Sequence, residues 1–331
     1  MSQFEALIVD KAEDNTVTRD IQTLSFDDLP EGEVLVKVRY SSVNFKDGMA
    51  AMTDGNIVSD YPMVPGIDLS GVVEESRDDR FSKGDPVIVT SYELGVSHYG
   101  GFAEYARVPV DWVVPLPEQM TLEEAMIYGT AGFTAGLSVM RLQEEGVKPE
   151  DGTVLVTGAT GGVGSMAVTM LSNLGYRVAA STGKSSEHDF LKSLGASEIL
   201  SRDDVQPESI RPIDKQRWAG AVDPVGGETL SYVLSTLAYD GAVAVSGLTA
   251  GTKVPTTVFP FILRGVTLAG IDSVNCPMPR RLDVWERLAS DLKVGEELKQ
   301  IADHVSLHEL PAVLDQILAG RVQGRKVVTF A

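Results

Sequence analysis

One stretch limits what this chain can fold into more than any other. It is the apolar run Val154-Leu155-Val156, followed by the turn Thr157-Gly158-Ala159-Thr160-Gly161-Gly162-Val163-Gly164. A helix-like segment, residues 165–174, comes next. The strand delivers the chain to a tight turn. Glycines there let the backbone approach a pyrophosphate, and the free amides at the start of the helix point at the anion. Read as G-x-G-x-x-G, the three positions are Ala159, Gly161 and Gly164, so the first glycine is an alanine. A glycine pattern alone is weak evidence, and the strand before it and the helix after it are what give it weight.

The order of apolar runs around that turn sets the architecture. Residues 4–9 and 33–40 read as strands, the second alternating apolar and polar as a half-buried strand does. A strand at 71–74, a turn plus strand at 81–89 and a glycine hinge plus strand at 98–105 follow, and the first third reads as β-rich, glycine-punctuated and mostly antiparallel. At Thr121-Leu122-Glu123-Glu124 a hydroxyl cap with a carboxylate three residues on opens a helix. Beyond the glycine turn, strands at 177–181, 198–200, 220–223, 241–246 and 266–271 alternate with helices at 186–194 and 227–237. Such alternation gives a doubly wound parallel sheet. Helices at 280–292 and 307–318 and a strand at 326–330 close the chain. The expected division is a β-rich domain at 1–125 and 275–331 around a nucleotide-binding domain at 126–274.

Composition removes several classes of function. The 331 residues carry a formal net charge of -19, which disfavours a nucleic-acid binder, since that class needs a basic face. One cysteine, Cys276, allows neither an internal disulfide framework nor a cysteine-rich zinc site. The four histidines, His98, His188, His304 and His308, fall in no metal-binding spacing, although His304 and His308 would share a face if their segment were helical. No G-x-S-x-G elbow is present for a serine hydrolase. With no basic-then-apolar leader and no run long enough to span a bilayer, a soluble cytoplasmic protein without a membrane partner is expected.

The end of the second nucleotide-domain strand bears on the cofactor. A carboxylate there would bind the ribose hydroxyls of NAD and repel the extra phosphate of NADP. This chain has Ser181-Thr182-Gly183-Lys184, and Arg202 follows the third strand. Hydroxyls and two cations suit a 2′-phosphate, so NADPH is expected, with NADH less favoured but not excluded.

Four motifs in order carry a family resemblance: Asn44-Phe45-Lys46-Asp47, Pro65-Gly66-Ile67-Asp68-Leu69-Ser70-Gly71, Gly129-Thr130-Ala131-Gly132-Phe133-Thr134-Ala135 and the glycine turn. Over essentially its whole length the chain resembles the zinc-free, quinone-oxidoreductase-like branch of the medium-chain dehydrogenase/reductase superfamily. Trp218-Ala219-Gly220-Ala221-Val222-Asp223 and residues 255–264 and 270–274 resemble its YhdH/YhfP type. The resemblance implies a GroES-like β-rich catalytic domain plus a Rossmann domain, and NADPH-dependent reduction of the C=C bond of an activated alkene, acryloyl-CoA first among candidates. Quinone or small-enone reduction is the alternative acceptor chemistry. A non-catalytic dinucleotide-binding redox sensor is the alternative of another class. Where zinc-containing relatives have a cysteine and a histidine ligand, this chain has Asn44 and Ile67, so no zinc is expected. The resemblance places Asn44 beside the nicotinamide ribose, with Phe45 touching the cofactor. Thr160, Gly161, Gly162 and Val163 would hold the pyrophosphate. Ser181, Thr182, Gly183, Lys184 and Arg202 would hold the 2′-phosphate. Leu248 and Thr134 would lie near the nicotinamide. Arg325 is a candidate to hold cofactor phosphate or substrate, and Tyr92 and Tyr99 are candidate proton donors. The resemblance also implies a homodimer, paired through residues 266–273.

Overall fold

The structure, a computed structural model, describes residues 3–330. In chain order the elements are β1 (Gln3–Lys11), β2 (Val17–Ser25), β3 (Val34–Val43), α1 (Phe45–Ala50), β4 (Asp68–Ser76), β5 (Pro86–Thr90), β6 (Tyr105–Val108), β7 (Val114–Pro115) and α2 (Leu122–Glu144). Then come β8 (Thr153–Val156), α3 (Gly162–Asn173), β9 (Arg177–Ser181), α4 (His188–Ser193), β10 (Glu198–Leu200), β11 (Trp218–Asp223), α5 (Gly227–Thr236), β12 (Leu237–Val245), α6 (Phe259–Arg264) and β13 (Thr267–Gly270). The last are α7 (Met278–Ala289), α8 (Leu298–Ile301), β14 (Ala302–Val305), α9 (Leu310–Leu318) and β15 (Arg325–Thr329).

Two compact units result. The first holds residues 3–130, Val274–Ala289 and residues 298–330. The second holds Ala131–Ser273 and Ser290–Glu297. The short return segment belongs there, and Asn173 donates its side-chain amide to the Lys293 carbonyl at 3.4 Å.

In the first unit, a sheet runs β14-β15-β3-β4-β5-β7, with β6 also on β3, and β1 and β2 form a separate antiparallel hairpin. β3 is central because it is apolar on both faces: Leu35, on the opposite face, is buried as well as Val34, Val36 and Val38, and so is Val43. These pack with Leu7, Leu69, Phe102, Leu310 and Val328 in one core. His304 lies on strand β14, so it shares no helix face with His308; its Nε2 meets Glu123 Oε1 at 2.7 Å. That segment pairs with β15 in parallel, where its backbone bonds are made.

The second unit is the doubly wound sheet, in the order β10-β9-β8-β11-β12-β13 with every pairing parallel. Its middle strands are almost wholly buried, β11 at all positions and β8 at all but Thr153, which explains their largely apolar sequence. Strand order reverses between β8 and β11. Ligands of such sheets bind outside the carboxyl ends of the strands at that reversal. Among the described residues, no helix is long and apolar enough to cross a membrane.

Candidate active site

The glycine turn lies at the carboxyl end of β8, at the reversal. Helix α3 starts one residue later than the motif's second glycine, and its first backbone bond runs from Ser165 N to Gly161 O at 2.9 Å. The amides of Gly162, Val163 and Gly164 therefore precede the helical ladder and face the turn. Gly164 is required by packing: a Cβ there would sit 2.4 Å from Gly158 O and 2.6 Å from Ala159 Cα. At Gly161 the same added atom would meet only Gly158 O, at 3.4 Å, so this position guards open space. A cradle with leading amides, closely packed at Gly164 and open at Gly161, fits a dinucleotide pyrophosphate.

The end of β9 is tied to this turn. Ala159 N donates to Ser181 O at 2.9 Å, and the hydroxyls of Thr160 and Thr182 are 3.4 Å apart. Lys184 N donates to Thr182 Oγ1 at 3.1 Å. The Arg202 guanidinium covers Gly183, so closely that a Cβ on Gly183 would be 3.0 Å from Nη2. Thus Thr160, Gly161, Gly162, Val163, Ser181, Thr182, Gly183, Lys184 and Arg202 form one cluster. Leu248, 63% exposed, follows β12, beside Gly226 at the end of β11. Thr134 is buried on α2, and its carbonyl accepts the Ser138 hydroxyl at 2.8 Å. Asp223 was not singled out by sequence reasoning. This buried carboxylate accepts from Thr157 Oγ1 and, at 2.9 Å, from Gly226 N, joining the ends of β8 and β11. Burial raises its pKa, against those bonds.

The first unit holds a second cluster, of buried polar groups. Asp68 Oδ2 accepts from Ser42 Oγ at 2.6 Å, from Asn44 Nδ2 at 2.7 Å and from Thr130 N at 2.8 Å. Thr130 Oγ1 in turn lies 3.0 Å from Ser91 Oγ. Asp47 accepts from Asn44 N at 2.7 Å and Ile67 N at 2.9 Å. Both aspartates are fully buried.

Arg325 corrects an expectation. It is 3% exposed, and its guanidinium donates to Ile127 O (3.2 Å), Val43 O (3.2 Å), Asn44 Oδ1 (3.1 Å) and Ser42 Oγ (2.8 Å). Nη2 also lies 3.9 Å from Asp68 Oδ2. A cation so enclosed holds Asn44 in place and takes no phosphate. Burial lowers its pKa, and the Asp68 and Asp47 charges oppose that shift. Asn44 is itself 8% exposed: one carboxamide N–H is held firmly by Asp68, while Nδ2 reaches Ser42 O only at 3.4 Å. Phe45, the next residue, is 45% exposed. Tyr92 is stacked on Trp112 (5.7 Å) and under the Arg281 guanidinium (4.3 Å), and its hydroxyl contacts Cys276 O at 3.4 Å. Tyr99 packs against the core, and burial raises its pKa. Neither tyrosine is joined to the Asn44 cluster by a side-chain bond.

Asp47 gives a pH signature. Burial, and then the nearby Asp68 charge, push its carboxyl up to about 7, against the two N–H bonds it accepts. The folded protein therefore holds this proton more tightly than the unfolded chain does. The stability it contributes is full below pH ~4, is lost as pH rises to ~7, and changes no further above that. We expect the urea midpoint to fall between pH 5 and pH 8 in the native chain and to fall visibly less in Asp47→Asn. Equal slopes would remove Asp47 as the cause.

Comparison with known proteins places the chain. The alcohol dehydrogenase GroES-like domain matches residues 30–118, and the zinc-binding dehydrogenase family matches residues 162–290. YhfP of Bacillus subtilis, whose name suggests a quinone oxidoreductase, is 57% identical over 98% of both chains. Its crystal structure with NAD bound superposes with a TM-score of 0.97 over 100% of both chains, at 56% identity. The chain belongs to the YhdH/YhfP family of the medium-chain dehydrogenase/reductase superfamily. It is an oxidoreductase, with the GroES-like and Rossmann units described above. Two further YhdH/YhfP-family relatives carry other names. The acrylyl-CoA reductase AcuI of Ruegeria pomeroyi is 49% identical over 98% of both chains. The YhdH oxidoreductase of Salmonella enterica, in complex with NADP, is 48% identical over 99% of this chain and 100% of that one, with a TM-score of 0.96.

The zinc named in one family description does not suit this donor set. Ile67 offers an alkyl group, and the Asn44 carboxamide is committed to Arg325 and Asp68. Among the described residues, no group of three histidine, cysteine or acidic side chains could hold a metal.

Proposed function

We propose that this chain is an NADPH-dependent reductase of the C=C bond in an α,β-unsaturated carbonyl or thioester, with acryloyl-CoA as the leading substrate. The observation that carries the cofactor reading is the Arg202 guanidinium laid against Gly183, beside Lys184, where the second strand ends without a carboxylate. The name of the Ruegeria relative supports the acceptor. When bound, the cofactor would supply a hydride to the β-carbon of the acceptor, and solvent supplies the proton that the α-carbon takes up.

The chain's own residues do the rest. The amides of residues 162–164 bind the pyrophosphate, and Ser181, Thr182, Lys184 and Arg202 bind the 2′-phosphate. Thr134 and Leu248 serve the nicotinamide half, and Phe45 gives an apolar contact. Asn44 offers its weakly held N–H to the acceptor's carbonyl oxygen, where negative charge grows as the double bond is reduced. Arg325 keeps that carboxamide turned.

Quinone or small-enone reduction is the second reading, favoured by the name of the Bacillus relative. Steady-state oxidation of NADPH with acryloyl-CoA and with a simple benzoquinone separates the two. We expect kcat/KM for the thioester to exceed that for the quinone by at least ~100-fold, a usual span for a substrate whose polar groups are recognised. The reverse order would replace the leading reading with the second. Binding without turnover of either acceptor would favour a redox sensor. A homodimer fits β13, an edge strand of the sheet with Leu268 exposed. Sedimentation of the same preparation reads it, and a monomer would refute it.

A further inference from the structure

We propose that Glu187 sets the cofactor preference, opposing the 2′-phosphate and keeping NADH in use. The inference rests on reading the second unit as a dinucleotide site and concerns the adenosine end of that site.

After β9 the chain makes a tight 3-10 turn, Ser185–Glu187, that folds the Glu187 side chain back toward Lys184. Glu187 Oε1 lies 3.5 Å from Lys184 Nζ, with the two side chains 15% and 32% exposed. Its other oxygen, Oε2, is shut off from water and has no hydrogen-bond partner among the described residues. A carboxylate oxygen in that condition carries an unrelieved desolvation cost.

Sheets of this topology place the ribose 2′ position at the end of the second strand, where a carboxylate accepts a 2′-hydroxyl and repels a 2′-phosphate. Residues 181–184 supply no such carboxylate, but the turn returns one from three residues further on. The site therefore holds two opposed elements. Lys184 and Arg202 favour a phosphate. Glu187 occupies Lys184, and when its side chain turns outward the enclosed Oε2 gains the hydroxyl donor it lacks. To bind a 2′-phosphate, Lys184 must be shared or drawn away, leaving the carboxylate beside a dianion with less cation to offset it. To bind a 2′-hydroxyl, Lys184 need not be drawn away, and only the Glu187 side chain turns.

Two adenosine ligands isolate this end of the site from the reaction: 2′,5′-ADP, which carries the 2′-phosphate, and 5′-AMP, which has the free hydroxyl. Calorimetric titration of the full chain, Glu187→Gln, Glu187→Ala and Lys184→Met gives the result. We expect both Glu187 variants to bind 2′,5′-ADP about five- to tenfold more tightly, with 5′-AMP unchanged or weaker. Lys184→Met should weaken 2′,5′-ADP alone. NADPH and NADH should follow the same pattern. Ser185 and Ser186 of the same turn are exposed, and thermal midpoints confirm that each variant is folded. A ratio of the two dissociation constants that moves less than about twofold in both Glu187 variants overturns the proposal. So does an equal gain for both ligands. Those outcomes leave the dinucleotide reading intact. If the native chain binds none of the four nucleotides, that reading fails and the role of Glu187 falls with it.

Discussion

Arg325→Met is expected to destabilise the first unit by about 3–5 kcal/mol, the range for breaking a buried charge cluster from one side. The methionine fills much of the volume, so lost packing is the smaller effect. Four donated hydrogen bonds disappear, and Ile127 O, Val43 O, Asn44 Oδ1 and Ser42 Oγ lose their donor together. Asp68 remains fully buried with its cation gone, and Asp47 lies close enough to repel it. Arg325→Lys keeps a charge but cannot reach four acceptors from one ammonium, so an intermediate loss is expected. Asp68→Asn in the Arg325→Met background should cost less than the two single changes summed, because the second removes the charge that the first stranded. Urea unfolding followed by near-ultraviolet circular dichroism reads all three. A loss under ~1 kcal/mol for Arg325→Met would mean that water reaches the cluster and that Arg325 is not the group holding Asn44.

Gly164→Ala should reduce NADPH affinity by at least ~100-fold, equivalent to about 2.7 kcal/mol. Its added carbon meets backbone on two sides, Gly158 O and Ala159 Cα, and neither can step aside as a flexible side chain would. The turn must open, and the amides that lead helix α3 lose their common direction. Overpacking of this kind also lowers stability, by about 1–3 kcal/mol. Gly161→Ala is the control that separates the two effects. It has room at 3.4 Å, so stability should hold while the methyl group stands where the ligand would approach. Native-like NADPH binding by Gly164→Ala would show that the pyrophosphate sits elsewhere.

The second unit was largely legible in the sequence because its inner strands are apolar and buried on both faces. The expected strands at 177–181 and 198–200 coincide with β9 and β10. The capping box at Thr121 forms as written, with Thr121 N on Glu124 Oε2 at 2.8 Å and Glu124 N on Thr121 Oγ1 at 3.1 Å. β2 escaped notice because it is mostly polar and never fully buried, although Val17, Ile21 and Leu24 pack against the core that β1 helps to form. β14 went unassigned for a related reason, since its pairing with β15 is what makes it a strand. The polar cluster was invisible as a cluster. Arg325 meets Asn44 across 281 residues and Asp68 meets Thr130 across 62, and no local pattern encodes such pairs. The one available signal was a lone aspartate opening an apolar strand, Asp68, which was quoted within a motif but given no role. Arg325 was named as a candidate to hold phosphate or substrate, and its burial was not legible, because only the placement of strand β15 carries it inward.

Gly129 has a consequence for exchanging parts between relatives. It interrupts α2 at φ 49° and ψ -158°, and a Cβ there would lie 2.3 Å from Ser42 Oγ, 2.6 Å from Asp68 Oδ2 and 2.7 Å from Arg325 Nη2. The space of one side chain is thus already occupied by three polar groups. The compact units divide immediately after Thr130. A chimaera that grafts a foreign nucleotide-binding module onto this chain must therefore splice downstream of Thr130. A junction a few residues earlier would import a donor residue at 129 or 130, and the graft would fail through the acceptor's own buried carboxylates, however well the new module folds.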